Sequence, residues 1–162
     1  MTGTRRTPTA ALLTVALVAA VTGCSTIPAD SRGTLDRVRG GTLVVGVSPH
    51  DPWTTVEDDG GVSGTEVELV EGFAERLGAD IEWRVDPESV LAHAVRNYEI
   101  DIMIGGLTAK SPWSSELALT RPYTEVVSDD GDRQKMVMGT VKGENAFLVE
   151  LERHLTEEHG EL

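Results

Sequence analysis

One cysteine, Cys24, stands among 162 residues. A single thiol excludes an internal disulfide, a Cys-based metal site and a CxxC redox pair. Basic residues are in the minority, 14 Lys+Arg against 27 Asp+Glu, for a net charge of −13. So acidic a surface repels phosphate backbones and excludes a nucleic-acid partner. Aromatics number only seven, which suits a modest core. Long apolar runs are missing too: the longest, Ala10 to Val21, has 12 residues and is broken by Thr14, short of the roughly 20 needed to cross a bilayer. There is no G-x-S-x-G and no HExxH, and Ser114-Ser115-Glu116 has no His beside it in sequence. The chain therefore reads as a binder and not an enzyme, with no cofactor. With 40% hydrophobic and 25% charged residues, the expectation is one globular domain.

Residues 1–23 read as an export signal, with Arg5-Arg6 ahead of the apolar stretch. The stretch ends in Val21-Thr22-Gly23-Cys24, which resembles the bacterial lipobox; the resemblance implies that Cys24 is lipidated and becomes the new N-terminus. A plain secretory signal and a twin-arginine signal are the alternatives. The expected localisation is the outer face of the cytoplasmic membrane, by a lipid anchor. Removal of 1–23 leaves 12 basic and 27 acidic residues, a charge of −15. Residues 24–34 are small and polar and read as a flexible tether.

Beyond the tether the pattern alternates. Thr42 to Val47 is a β-branched run and reads as a buried strand. Ser48 to Gly64 is a loop with a tight hairpin at Asp59-Gly60, and Glu57-Asp58-Asp59 is its solvated tip. Val67, Val70, Phe73, Ala74 and Leu77 recur at helical spacing. A Thr65/Glu68 capping box and a closing Gly78 frame a helix over 65–77. Residues 80–85 read as a strand with Trp83 in the core. Asp86-Pro87 reads as a cap followed by Pro at the first helical position, with Val90, Leu91, Ala94, Val95 and Tyr98 as the apolar stripe. Residues 100–104 read as a third strand, 107–122 as irregular, and 124–135 as a polar loop. Residues 136–141 read as a last strand and 145–155 as a closing helix with a frayed acidic tail. Strand–helix–strand–helix–strand implies right-handed crossovers and a parallel sheet. The expected fold is α/β, a parallel sheet with flanking helices, a closing antiparallel strand and a C-terminal helix.

The stretch from Leu43 to Tyr123 resembles the family 3 extracellular solute-binding proteins, the amino-acid-type receptors of ABC importers. The carrying segments are TLVVGVSPHDPW, GVSGTEVELVEGFAERLGADIEW, YEIDIMIGGLT and SPWSSELALTRPY. The resemblance implies lobe 1 of a type II periplasmic-binding-protein fold over 35–123. Family members clamp solute between two lobes, and here Pro122-Tyr123 is followed within a dozen residues by MVMGTVKGENAFLVELERHL, which looks like the family's return strand and late helix over 136–162. Lobe 2 is thus expected to be missing, with the loop 124–135 in its place.

Carried over position by position, the resemblance implies ligand contacts at His50, Trp53, Gly106, Thr108, Lys110 and Trp113. His50 falls at the stacking aromatic, Gly106 and Thr108 at backbone and hydroxyl contacts, and Lys110 where the family has Thr. Trp113 falls where amino-acid receptors carry the carboxylate-clamping Arg; a Trp offers one N–H and a ring face, not a planar two-donor fork. Simpler roles compete: His50 as a solvated loop residue, Trp53 and Trp113 as covers for the sheet edge. His93 reads as exposed. His154, Glu158 and His159 read as a solvated helix end and not a metal site. Asp129-Asp130-Gly131-Asp132 lacks the spacing of a calcium loop and reads as a plain turn.

The resulting expectation is a lipid-anchored receptor for a small polar solute, an amino acid or relative. Its implied partner is an ABC permease, and it binds weakly because one lobe buries only one side of a ligand. The alternative is an envelope interaction protein or a non-binding remnant, and a homodimer would cover the surface left by lobe 2.

Overall fold

The computed structural model describes residues 28–128 and 130–160. The expected signal peptide, Cys24 and the tether's first residues lie outside that range, as do Asp129 and the last two residues. The elements in chain order are α1 (Thr34–Val38), β1 (Thr42–Val47), β2 (Thr55–Val56), β3 (Val62–Ser63), α2 (Thr65–Leu77), β4 (Asp80–Val85), α3 (Glu88–Arg96) and β5 (Ile102–Ile104). A 3-10 turn (Pro112–Ser115) follows, then β6 (Ala118–Leu119), β7 (Thr124–Val127), β8 (Arg133–Met136), β9 (Gly139–Thr140) and α4 (Asn145–His159).

The fold is mixed α/β. Five strands form the central sheet in the order β4-β1-β5-β9-β6. β1 runs parallel to both β4 and β5, and β9 closes antiparallel against β5 and β6. Side chains alternate across the sheet, so β1 and β5 each feed two cores. Leu43, Val45, Val47, Ile102 and Ile104 pack with Leu35 and Val38 of α1, Val67 to Leu77 of α2, and Phe147, Leu151 and Leu155 of α4. Phe73 and Phe147 meet edge to face at 5.7 Å between centroids. On the other face Met103 joins Leu91, Ala92 and Val95 of α3 with Ile100, Leu107 and Leu117. Gly46 is what lets α3 close on β1, since a Cβ there would stand 2.9 Å from the Leu91 side chain and 3.1 Å from Ile100.

Several expectations need correction. Gly64, not Thr65, is the N-cap of α2, and no side chain caps it. The cap comes from the preceding loop: Glu66 N–H donates to the Trp53 carbonyl at 3.1 Å. Pro87 is the N-cap of α3 and Asp86 lies outside the helix. Val90 is exposed, because the stripe that faces the sheet is Leu91, Ala92 and Val95. Trp83 is half-buried, as β4 is an edge strand. The third strand begins at Ile102: Asp101 turns its carboxylate back onto Val44 N–H at 3.0 Å and pairs with Arg37. The 107–122 segment holds β6. The polar 124–135 segment is a hairpin, β7 against β8, with Val126 facing the core and Met136 buried in it. The stretch 136–141 is not one strand; only Gly139–Thr140 joins the sheet.

Both ends are more ordered than expected. α4 runs on to His159, whose ring lies 5.6 Å from that of Tyr123. His154 is buried, not solvated: it bonds the Leu69 carbonyl at 2.9 Å and leans on Phe73. From residue 30 the expected tether is held by two carboxylates. Asp30 accepts from Leu35 N–H at 2.7 Å and from Phe147 N–H at 2.9 Å. Glu144, buried ahead of α4, accepts from Arg32 N–H and Thr34 N–H at 3.0 Å each and from Ser31 Oγ. Each acid thus satisfies donors that a helix start leaves open.

Candidate functional site

β1 and β5 end side by side, and Ser48 N–H continues the ladder to the Ile104 carbonyl at 3.0 Å. Beyond them the 48–54 loop folds on itself. His50 N–H donates to the Thr54 carbonyl at 2.8 Å, Trp53 N–H to the His50 carbonyl at 2.9 Å, and the buried Thr54 hydroxyl to the Ser48 carbonyl at 2.6 Å. His50 Nδ1 sits 3.1 Å from the Gly105 carbonyl, so that nitrogen carries the proton.

The glycine pair after β5 makes this closure possible. Gly105 has φ +144° and Gly106 φ +69°, backbone that side chains avoid. A Cβ on Gly105 would stand 2.6 Å from the Ser48 carbonyl oxygen; on Gly106, 2.7 Å from His50 Nδ1 and 2.9 Å from Trp53 Cδ1. His50, Trp53 and Gly106 are therefore one cluster, with His50 exposed and Trp53 half-buried.

Beneath the cluster lies Glu66, fully buried in the first turn of α2. One carboxylate oxygen accepts from Gly105 N–H at 2.8 Å and Gly106 N–H at 2.9 Å; the other accepts from Tyr123 OH at 2.6 Å. Burial pushes the Glu66 carboxyl above its ordinary range, opposed by the bonds from Gly106, Tyr123 and Gly105. Burial and the neighbouring Glu66 also push the Tyr123 hydroxyl strongly up. The chain thus supplies its own anion to the N–H groups at this sheet edge, and the Gly106 N–H is already donated. Helical spacing carried the signal: Glu66 lies four before Val70 and seven before Phe73, on the apolar stripe itself.

The other expected residues are arranged separately. Thr108 is bridged to Met136 of β8, and its hydroxyl accepts from Lys110 N–H at 3.3 Å. Thr108 and Lys110 line a cleft of about 570 Å³ with the hairpin residues Glu125, Asp132, Arg133 and Lys135. Trp113 is half-buried against the α3-side core, and its indole N–H donates to Glu88 at 3.0 Å. Its one donor is therefore taken by the start of α3. Lys135 and Arg133 were hidden within a polar stretch that reads as a turn. Among the described residues no group of acids and histidines forms a metal centre.

The sequence matches the family of bacterial extracellular solute-binding proteins, family 3, over residues 43–158. The L-cystine-binding protein TcyJ of Escherichia coli (strain K12) is 29% identical over 116 residues, spanning 70% of this chain and 44% of that protein. Membrane-bound lytic murein transglycosylase F of Alcanivorax borkumensis is 34% identical over 87 residues, 53% of this chain and 18% of that protein. The chain therefore spans less than half the length of these relatives. Among solved structures, the arginine-bound form of domain 1 of TmArgBP from T. maritima superposes with a TM-score of 0.66 at 24% identity, covering 75% of this chain and 97% of that one. The ancestral amino acid-binding protein AncCDT-1, a precursor of cyclohexadienyl dehydratase, gives 0.68 at 14% identity, with coverages of 78% and 94%. These two likenesses show the fold, the first lobe of a periplasmic-binding-protein-like architecture. With a family match over most of its length and one such lobe among its described residues, the chain belongs to the bacterial extracellular solute-binding proteins, family 3.

Proposed function

We propose that this protein is an exported, lipid-anchored receptor for a small polar solute, an amino acid or close relative, that serves an ABC-type importer. It binds and releases its solute without chemistry and without a cofactor. The observation that carries this reading is the family match over residues 43–158. Relatives described as binding cystine and arginine favour an amino-acid-like solute. The domain described as arginine-bound is a single lobe, which supports solute binding without a second one.

His50 and Trp53 offer aromatic faces over the Gly106 turn, and Thr108 and Lys110 offer a hydroxyl and a charge. The solute rests on one lobe and keeps much of its surface in water, so binding is weak, with millimolar affinity. Lipidation of Cys24 holds the receptor at the outer face of the membrane. A thermal-shift screen of soluble residues 25–162 against amino acids, polyamines and small carboxylates tests the reading, followed by calorimetry. A ligand at a hundred times its Kd stabilises by about 2.7 kcal/mol, a shift of many degrees for so small a domain. The expected result is a hit that is weakened by Trp53→Ala; a cooperative melt that no compound shifts sinks the receptor.

One observation favours the second reading, an envelope interaction protein or remnant. Glu66 already occupies the Gly105 and Gly106 donors. That reading predicts no hit, and a homodimer by light scattering supports it.

A further inference from the structure

We propose that the β7–β8 hairpin is the second wall of the solute site, and that Lys135 and Lys110 together form a subsite for the solute's carboxylate. The proposal rests on the reading of the chain as a solute receptor and adds which residues hold the solute and by which group.

The hairpin is fixed to the site's own strand. Ala109 N–H donates to the Lys135 carbonyl at 2.8 Å, Val137 N–H donates to the Leu107 carbonyl at 2.9 Å, and Thr108 bridges to Met136. β8 thus lies alongside 107–109, and the cleft between them takes its lining from both.

The charge in that cleft runs against the composition. The chain has three lysines and a net charge of −13, yet two of the lysines, Lys110 and Lys135, line this one cleft. The third, Lys142, is donated to the Ser115 carbonyl. Of the other charged groups in the cleft, Arg133 and Glu125 neutralise each other at 2.9 Å. Among the described residues neither Lys110 nor Lys135 forms an ion pair. Lys135 lies opposite Glu125 in the hairpin register, but Glu125 is bonded to Arg133, so the cleft lining holds two lysines against one further acid, Asp132. The cleft therefore attracts a carboxylate and repels a diamine, and Asp132 leaves a place for a single ammonium, as on an α-amino acid. Thr108 Oγ1 already accepts from Lys110 N–H, and its hydroxyl still has a proton to donate. Lysines act as point charges and not as a planar fork, which fits a tolerant, weak carboxylate site.

The test is calorimetry on the full chain in detergent, with L-glutamate, succinate, inorganic phosphate and putrescine as probes. Glutamate and succinate are expected to bind, more weakly as NaCl rises, and putrescine is expected not to. Lys110→Gln and Lys135→Gln should each weaken glutamate about tenfold, Lys135→Glu should weaken it further, and Lys142→Gln should leave it unchanged. Each variant is first shown to melt cooperatively; Lys135 is exposed on its strand, so these substitutions spare the core. A solute whose binding ignores both lysines overturns this subsite and leaves the receptor standing. Phosphate bound more tightly than either carboxylate, or putrescine bound in their place, overturns the carboxylate assignment. A folded chain that binds no probe here and no compound in the wider screen overturns both.

Discussion

Glu66 joins three parts of the molecule through one carboxylate: the start of α2, the glycine turn after β5, and Tyr123 at the entry to the hairpin. Glu66→Ala removes the acceptor for two backbone N–H groups and a phenol and leaves a void. The expected loss is on the order of 3–5 kcal/mol, read from urea unfolding. Glu66→Gln keeps an acceptor for the glycines and should cost far less. The pair also reports on pH. The folded state raises this carboxyl above its ordinary 4.5, so folding favours its protonated form. Its contribution is fully present below 4.5 and is lost as pH rises through the higher folded value. Wild type should therefore lose stability relative to Glu66→Gln across that window; a constant difference would refute the sign. At the site itself, Gly106→Ala would drive a Cβ into His50 and Trp53 at positive φ. It should displace both rings, change tryptophan emission and weaken solute binding several-fold.

Two short segments far apart in sequence behave as one element. Asp30 serves the starts of α1 and α4, and Glu144 serves the segment entering α1. For Glu144, burial raises the carboxyl, but bonds from Ser31, Thr34 and Arg32 outweigh it and hold the group below its ordinary 4.5. Its sign is therefore opposite to that of Glu66: the contribution is present above 4.5 and is lost as pH falls through the folded value. Glu144→Ala should cost about 2 kcal/mol at neutral pH, and the gap from wild type should narrow in acid, as thermal melts across pH would record. The hairpin shows the same logic. Val126 packs against the core and Met136 lies within it, so a segment that looks like a linker is anchored by one residue of each strand.

On the scale of the whole molecule the dominant long-range term is self-repulsion from the −13 charge. Several ion pairs are exposed, as in Arg84–Glu82 and Arg96–Glu116, and exposed pairs contribute about 0–1 kcal/mol each. Added salt should screen the repulsion more than it weakens those pairs and raise the Tm by a few degrees. A falling Tm would show that specific pairs outweigh the net charge. The described residues form one lobe, which has no hinge within it to close, so the radius of gyration from small-angle scattering should stay constant on saturation with solute. A contraction would reveal a moving part, with the hairpin the first place to look.

Repeating patterns made much of the lobe legible in the sequence. The apolar run of β1, the stripe of α2 ending at Gly78, and the strand–helix alternation all appear where periodicity put them. Periodicity records which face each residue buries, and burial dominates folding. The closing antiparallel strand was legible within 136–141, though only Gly139–Thr140 forms it; β6 to β8 were not, because two to four residues carry no period and are made by their partners. The resemblance implied one ligand site for His50, Trp53, Gly106, Thr108 and Lys110; the structure groups the first three at the glycine turn and sets Thr108 and Lys110 in a separate cleft. The structure alone decided that Glu66 fills the edge donors, that Trp113 is tied to Glu88, and that Lys135 stands beside Lys110. These join residues 25 to 40 positions apart, at least one of them on a segment without a repeat. The sequence by itself determined the longer secondary elements and their order, because those follow from local spacing. The tertiary structure decided which polar groups satisfy one another, because a hydrogen bond depends on position in space and leaves no period along the chain.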